Sequence, residues 1–262
     1  MKVACWLVVI VFSTALRSLA KGQSDSTYNF FQQIAKYDLA RVWMADSITD
    51  DGKEKFIRPE PLGYIDTNYQ RFYIHFTSMK KIKSLSHEYE VKGKTRVKDH
   101  ICDFTGTIVI TSAQLKDNCQ PGIDSFIWPG CKEGKITADV YLKEKDSEPY
   151  SGFIKGRLKS DFVIDGNGTL LYDAISIIGD GFYNNQCEAT WTSYKTHLSK
   201  KCNWGDFRIP DSKGFDWGDG EFSPNDKYVK NGWESYQKAY GGSKSREEYV
   251  AAVKEEFRKW WK

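Results

Sequence analysis

Apolar and polar residues alternate with a period of two along much of this chain. In residues 71–76, Phe72, Ile74 and Phe76 fall at every second position, with charged or amphipathic residues between them. Successive side chains of a β-strand point to opposite faces, so this pattern predicts a half-buried strand. Further strands are predicted at 39–46, 89–98, 104–112, 135–143, 152–164, 168–176 and 187–198.

The predicted strands follow one another with short turns between them. The turn at 165–168 contains asparagine and glycine, which tolerate the positive φ that tight hairpins require. Eight or nine strands with little helix between them predict an all-β fold built as an antiparallel meander. Because an open sheet of that length would have exposed edges, we expect the meander to close into a barrel, with a β-sandwich as the alternative.

The two ends of the chain depart from this alternation. Residues 27–38 space their apolar side chains as a short helix would, whereas the stretch after Lys200 has neither period and is rich in aromatic residues. Ser245 and Glu248 form a capping box that predicts a final helix. The apolar face of this helix is expected to pack on the sheet or close a barrel mouth. It consists of Tyr249, Val250, Val253, Phe257, Trp260 and Trp261.

The first 20 residues have the pattern of an export signal. Lys2 precedes an apolar run at 3–16, and Ser18-Leu19-Ala20 is a small-x-small cleavage site. The run is shorter than the roughly 20 residues that span a bilayer, and Lys21 stands where a lipoprotein would have cysteine. We expect an exported protein, periplasmic, cell-surface or secreted. Its expected parts are a signal peptide at 1–20, a β domain at 21–200, and an irregular extension with its helix at 201–262.

Cysteine usage fits a protein that folds outside the cytoplasm. The cysteines beyond the leader are Cys102, Cys119, Cys131, Cys187 and Cys202, an odd number that leaves at least one thiol unpaired. Cys119 and Cys131 flank a turn-rich loop and are the favoured disulfide pair, with buried free thiols as the alternative. Neither C-x-x-C nor H-x-x-x-H spacing occurs. The sequence therefore predicts no zinc site, and we expect no cofactor.

Charge and hydropathy disfavour two classes of partner. The formal net charge is +3, and removing the leader takes away Lys2 and Arg17 but no acidic residue, so the remainder is nearly neutral. A protein whose main partner is a nucleic acid usually carries a strongly basic domain. No second long apolar run follows the leader. The sequence therefore predicts neither nucleic-acid binding nor a membrane span.

Two predicted strand faces offer candidate ligand-binding residues. A basic row on one strand consists of Lys92, Lys94, Arg96 and Lys98, and His100 continues its register. Such a row could hold an acidic glycan or a phosphate, and a solvated outer face is the alternative. A polar face on a second strand consists of Arg71, Tyr73 and His75. This trio could bind a ligand or poise an acid or base, and a simple surface histidine is the alternative.

Aromatic residues make up 15% of the chain, enough to supply stacking surfaces for sugars or walls for a lipid. Most of them are expected in the core, while Trp128 and Trp217 are the two expected to be exposed and to contact a ligand. Acidic residues crowd into the stretch 211–226 and offer oxygen ligands for calcium. Their spacing matches no EF-hand loop, so turn capping is the favoured interpretation.

A family resemblance is carried by the stretches 61–65, 71–76 and 102–108 and by the motif Cys202-Asn203-Trp204-Gly205-Asp206-Phe207-Arg208-Ile209-Pro210. These stretches resemble an uncharacterised family of β-rich proteins exported by gut bacteria. The resemblance covers most of the chain beyond the leader, implies export and implies no activity. The meander also resembles, more distantly, the lipocalin group of barrels. The lipocalin G-x-W signature lies near the first strand, whereas the nearest match here, Ala189-Thr190-Trp191, lies on the last predicted strand.

The predicted fold and the aromatic supply favour a non-catalytic binding protein for a glycan or a small apolar ligand, held in a barrel mouth or an aromatic groove. An interaction module of a cell-surface or extracellular assembly is the structural alternative, and a glycan-acting hydrolase is the enzymatic one. An open cavity would favour the ligand carrier, and a sealed barrel would favour the interaction module. Two convergent carboxylates in a cleft would favour the hydrolase.

Overall fold

The computed structural model describes residues 26–50, 54–84, 86–123 and 128–262. The predicted signal peptide at 1–20 lies outside these residues. β-strands are the main regular secondary structure of the described chain. The strands are β1 (Thr27–Asn29), β2 (Ser47–Ile48), β3 (Phe56–Ile57), β4 (Leu62–Ile65), β5 (Gln70–Lys81), β6 (Glu88–Val97), β7 (His100–Lys116), β8 (Lys132–Glu144), β9 (Gly152–Ile164), β10 (Leu170–Tyr172), β11 (Asn184–Ser193) and β12 (Ser199–Asp206).

Eight of these strands form a closed hydrogen-bonded ring. In ring order they are β4, β5, β6, β7, β8, β9, β11 and β12, and β12 pairs with β4 to complete the circle. Every pairing in the ring is antiparallel, as a meander requires. The ring is irregular, because β4 has only 4 residues and pairs with β5 at two positions. The predicted antiparallel β-fold is confirmed, and its closure is an irregular ring rather than a regular barrel.

Apolar side chains at alternate strand positions fill the interior of the ring. Strand β8 shows this most clearly, because Ile136, Ala138, Val140 and Leu142 are all buried while the residues between them are exposed or half-buried. These side chains belong to one large core cluster that has members on all eight strands of the ring. Strand β4 contributes only its last residue, Ile65. The period-two pattern of the sequence therefore corresponds to the inner and outer faces of the ring.

The N-terminal segment closes one end of the ring. Helices α1 (Phe31–Ile34) and α2 (Ala40–Trp43) lie across this end, where the Trp43 indole N–H donates to Ser160 Oγ at 3.0 Å. The prediction of a strand at 39–46 is wrong. The buried residues of this stretch are Leu39, Val42 and Trp43, and separations of three and one positions place them on one side of a helical turn. The helix predicted at 27–38 is limited to α1, and β1 precedes it.

The C-terminal part of the chain forms a second layer outside the ring. It contains a 3₁₀ helix at Asp226–Asn231, α3 (Glu234–Tyr240) and α4 (Arg246–Glu256). The sequence predicted an irregular segment from residue 201 onward. In the structure strand β12 runs to Asp206, so the irregular segment starts after that residue. A separate aromatic cluster joins this layer to the ring, and its buried members are Leu62, Tyr64, Ile209, Phe215, Phe222 and Trp233.

The final helix starts where the sequence predicts, but a smaller part of its apolar face is buried than the sequence predicts. Ser245 caps α4, and its side chain accepts a hydrogen bond from the Glu248 backbone N–H at 3.2 Å. Trp260, just beyond the helix, is buried, whereas Tyr249, Val250 and Phe257 are about half-exposed. The expectation that the whole apolar face packs on the sheet is therefore wrong.

Among the described residues one disulfide is present, and it joins Cys119 to Cys131 as predicted. The thiols of Cys102, Cys187 and Cys202 are free and buried. A disulfide is consistent with folding outside the reducing cytoplasm. In the described part of the chain, no helix combines the length and the apolar character needed to cross a membrane.

Candidate functional site

A pocket opens at the end of the ring opposite α1 and α2, and we call it the mouth pocket. It has a volume of about 560 Å³ and lies among the turns that join β4 to β5, β6 to β7, β8 to β9 and β11 to β12. Its lining residues are Ile65, Asp66, Asn68, Gln70, Phe72, Thr95, Val97, Lys98, His100, Cys102, Glu144, Tyr150, Trp191, Ser193, Thr196, Leu198 and Lys200.

The inner wall of the mouth pocket is largely apolar. Phe72, Val97 and Trp191 belong to three different strands and reach the pocket from inward-facing positions. Polar side chains, such as those of Asn68 and Gln70, come mainly from the turns and strand ends around the opening. Apolar walls with a few polar groups are typical of sites that bind small molecules.

A buried carboxyl group, that of Glu144, stands at the base of the mouth pocket. Its side chain accepts hydrogen bonds from the Thr95 hydroxyl, from the Trp191 indole N–H at 2.9 Å and from the Gly152 backbone N–H at 2.8 Å. Burial raises the pKa of Glu144 above its ordinary value, and these three donors oppose that rise. Glu144 therefore ties β6, β8, β9 and β11 together and holds the Trp191 ring in place as part of the wall.

The rim of the mouth pocket carries exposed side chains of mixed character. Tyr150 is 74% exposed and lies with its ring centroid 4.5 Å from that of His100. Lys200 forms an ion pair with Asp66 at 2.6 Å between β12 and the end of the neighbouring strand β4. Burial raises the pKa of the Cys102 thiol to about 12, so this pocket residue stays protonated and is a poor nucleophile.

Four of the sequence-predicted site residues come together on the outer face of β5 and β6. We call this group, Arg71, Tyr73, His75 and Arg96, the cation–aromatic face. Tyr73 and Arg96 are cross-strand partners, and the Arg96 guanidinium lies 3.9 Å from the centroid of the Tyr73 ring. The Arg71 guanidinium lies 4.5 Å from the same centroid, on the same face of the sheet.

The C-terminal segment of the chain covers the cation–aromatic face. Arg71 forms a two-point ion pair with Glu256 of α4, and the Trp261 ring stacks on the His75 ring. The Glu60 carboxylate accepts a hydrogen bond from His75 Nδ1 at 2.9 Å. These residues thus contact the chain's own tail, and their predicted role in holding an external ligand stays a prediction.

The other predicted site residues are dispersed. Lys94 pairs with Asp103 at 3.0 Å, and Lys92 is exposed on the same strand. Trp128 packs beside the Cys119–Cys131 disulfide, while Trp217 is 68% exposed on the irregular segment. None of these four lines the mouth pocket.

Sequence reasoning did not single out the residues at the base of the mouth pocket. One signal for Glu144 was present, because it continues the inward register of Ile136, Ala138, Val140 and Leu142 on β8. An acidic residue at an inward position is costly unless hydrogen bonds compensate for its burial, so it marks a place where partners converge. Trp191 likewise follows the alternation of β11, but its contact with Glu144 requires the closed ring.

A second cleft, of about 530 Å³, lies on the outside of the ring near the end closed by α1 and α2. Its carboxyl groups belong to Glu133, Asp161, Asp173 and Asp180. Burial raises the pKa of Asp173 to about 7 and also raises the pKa of Asp161 above its ordinary value. Lys135 pairs with Asp161 at 3.4 Å. Two of these carboxyl groups thus have the perturbed acidity that acid–base chemistry uses.

The acidic stretch at 211–226 is organised around an arginine. The Arg208 guanidinium donates to Asp216 Oδ2 at 2.8 Å and to the carbonyl oxygens of Gly218, Asp219 and Gly220 at 2.7 to 2.9 Å. A guanidinium therefore occupies the position where these oxygens could have met a calcium ion. Among the described residues, no group of three or more His, Cys, Asp or Glu side chains could hold a metal ion.

Comparison with known proteins adds no family to this description. No protein-family model, curated protein or solved structure matches the chain. The resemblance to exported gut-bacterial proteins and to lipocalins stays a prediction.

Proposed function

We propose that the chain is an exported, non-catalytic binding protein that holds a small, largely apolar ligand in the mouth pocket. One observation carries this proposal: the pocket has the volume of a small-molecule site, and it opens at one end of a ring whose other end is closed. The pocket is the feature that a barrel-like ligand carrier would use. The disulfide and the leader pattern support export.

The lining supports an apolar ligand with one polar end. Phe72, Val97 and Trp191 provide apolar contact surface inside, while the side chains that can hydrogen-bond lie mainly at the opening. A ligand with an apolar body would therefore lie inward and keep its polar group near Asn68 and Lys98. A glycan would instead need free polar partners along the inner wall, where the polar side chains are Thr95, Ser193 and Glu144 and the Glu144 oxygens already accept three hydrogen bonds from the chain.

Binding of a fluorescent apolar probe tests the proposal. Anilinonaphthalene sulfonate should bind the native chain and be displaced by a medium-chain fatty acid, but not by neutral oligosaccharides. Val97→Trp should fill the pocket and weaken probe binding about tenfold or more, a loss of about 1.4 kcal/mol. Lys159→Trp, on the exposed outer face of β9, is the matched control and should bind like the native chain.

Two outcomes would contradict this assignment. Equal probe affinity in the native chain and in Val97→Trp would place the probe outside the mouth pocket. Displacement by oligosaccharides alone would identify the glycan binder instead. Export is tested separately by expressing the whole chain in a bacterial host and sequencing the N-terminus of the secreted product, which should begin at Lys21.

A glycan-acting hydrolase is the second candidate, and the acidic outer cleft favours it. Glycoside hydrolysis uses a carboxyl group that stays protonated near neutral pH and a second carboxylate nearby. Asp173 has the raised pKa of the first group, and Asp161 shares its cleft. Assay of the chain on a panel of polysaccharides, with Asp173→Asn as the control, tests this candidate. Release of reducing sugar that is lost in the variant would support it.

A further inference from the structure

We propose that the cation–aromatic face is a binding site for an acidic, aromatic peptide segment of another protein, and that residues 255–261 of the chain occupy this site in cis. The site is distinct from the mouth pocket, since its residues lie on the outer face of β5 and β6. The proposal therefore stands or falls independently of the proposed function.

The first element of the site is a carboxylate receptor. Arg71 is 5% exposed, and its Nη1 and Nη2 atoms donate to the two carboxylate oxygens of Glu256 at 2.8 and 2.5 Å. A two-point pair of this kind recognises the planar carboxylate specifically. The aromatic rings of Tyr73 and Trp233 lie within 5 Å of the same guanidinium and orient it.

The second element is a stacking surface. The Trp261 and His75 rings are nearly parallel and in contact, and Trp260 packs against Tyr73 with ring centroids 5.8 Å apart. Trp260 also lies 5.4 Å from the Arg96 guanidinium. The face therefore binds one carboxylate, that of Glu256, together with the paired indoles of Trp260 and Trp261.

The third element is a cation that the tail leaves incompletely paired. Arg96 is 8% exposed, yet its Nε atom has no hydrogen-bond partner, and its nearest carboxylate, that of Glu255, is 4.0 Å away. Glu255 also pairs with Arg258 at 2.7 Å, which draws it away from the face. A buried donor without a partner is costly, so a segment that reaches both arginines would bind better than the tail does.

The attachment of the tail allows it to leave. Residues 241–245 form a mostly exposed linker between α3 and α4, and Gly242 has a φ of +110°. Within α4 only Ala252 is buried, and polar contacts tie the helix to α3, namely the Lys238–Glu248 ion pair and the hydrogen bond from the Ser235 hydroxyl to Glu256. A tethered segment competes at a high effective concentration, so an external segment binds weakly until the contacts of the tail are loosened.

A peptide is the ligand class that these contacts favour, because the occupant that the site already accepts is a peptide. The probe is therefore a fluorescein-labelled peptide with the sequence of residues 253–262, tested on the full chain. In Glu255→Gln/Glu256→Gln the tail loses both carboxylates, and the labelled peptide should bind about tenfold more tightly than to the native chain. Glu234→Gln, which alters an exposed carboxylate of α3, is the matched control.

Substitutions in the peptide and in the cation–aromatic face test the specificity of binding. A peptide carrying glutamine at both glutamate positions should bind about tenfold more weakly, and Arg96→Gln in the loosened chain should weaken the unaltered peptide by a similar factor. If the loosened and native chains bind the peptide equally, the proposal is wrong. Binding of a trimer of galacturonic acid in place of the peptide would also overturn it, because an acidic glycan would then be the ligand.

A second measurement tests the proposal without the glutamine variants. A protease site introduced into the exposed linker at 241–245 allows the chain to be cut while α4 stays bound through its contacts. The labelled peptide should then exchange into the face and displace the cut segment. A cut chain that keeps its fold but takes up no peptide would overturn the proposal.

Discussion

Trp261 stacks on His75 with the ring centroids 3.8 Å apart and the ring planes 11° from parallel. This contact joins the second-last residue of the chain to the middle of β5. We expect Trp261→Ala to lower the free energy of unfolding by about 1 kcal/mol or more, because an aromatic contact and its buried area are lost. Urea unfolding measures this change. Trp217→Ala, at a tryptophan that is 68% exposed, should leave the midpoint unchanged.

The Cys119–Cys131 disulfide should stabilise the described fold. Its two cysteines are 12 positions apart, and a closed loop of this size contributes about 3 kcal/mol by restricting the unfolded chain. Cys119→Ser/Cys131→Ser should therefore unfold at a lower urea concentration than the native chain. Adding a reductant should lower the native midpoint toward that of the variant and leave the variant unchanged. A midpoint insensitive to both changes would contradict the prediction.

Asp173 should make stability depend on pH. Its pKa is about 7 in the folded chain and about 4 in an unfolded one, so the folded state retains the proton over the interval between them. The free energy of unfolding should therefore fall as the pH rises from about 4 to about 7. Asp173→Asn should flatten this slope, while Asp146→Asn, at an exposed position on the β8–β9 loop, should preserve it. Urea unfolding at several pH values provides the comparison.

Arg208 should be essential to the order of the irregular segment after β12. Its hydrogen bonds to Asp216 and to three successive carbonyl oxygens need the planar guanidinium, which lysine lacks. We expect Arg208→Lys to lower the free energy of unfolding by about 2 kcal/mol. Faster hydrogen exchange across residues 214–222 should accompany this loss. Lys213→Ala, at an exposed position in the same segment, is the control.

Arg208 also leads to a prediction about calcium binding in the stretch 211–226. Because its guanidinium already pairs with the oxygens of this loop, millimolar calcium should leave the melting temperature of the native chain unchanged. A rise of several degrees on adding calcium would show that the ion finds another arrangement of these ligands.

Local pattern was sufficient to predict most of the ring. Strands such as β8 alternate so regularly that the inner and outer faces can be assigned from sequence. The same reasoning failed at 39–46, where Leu39 and Val42 are three positions apart, a spacing that fits one face of a helical turn and not one face of a strand. The disulfide was predictable because both cysteines border one loop.

The candidate sites were harder to predict, because each is assembled from distant parts of the chain. Glu144 meets Trp191 only through the closed ring, and Arg71 meets Glu256 only after the C-terminal layer has docked. A polar residue on a strand face gives no sign of whether solvent or another segment covers it. For this reason Arg71, Tyr73 and His75 could be identified as a group from sequence, but their contact with the tail could not.

Ring closure has a consequence for how fast the chain can fold. The pairing of Ile65 with Cys202 joins the first and the last strand of the ring, so the circle can be completed only after nearly all of its sequence is available. Such long-range pairing makes folding slow compared with local hairpin formation. Under the proposed export, a newly made chain should therefore remain unfolded long enough to pass through a narrow translocation channel. Maturation to the compact state would then begin on the far side of the membrane.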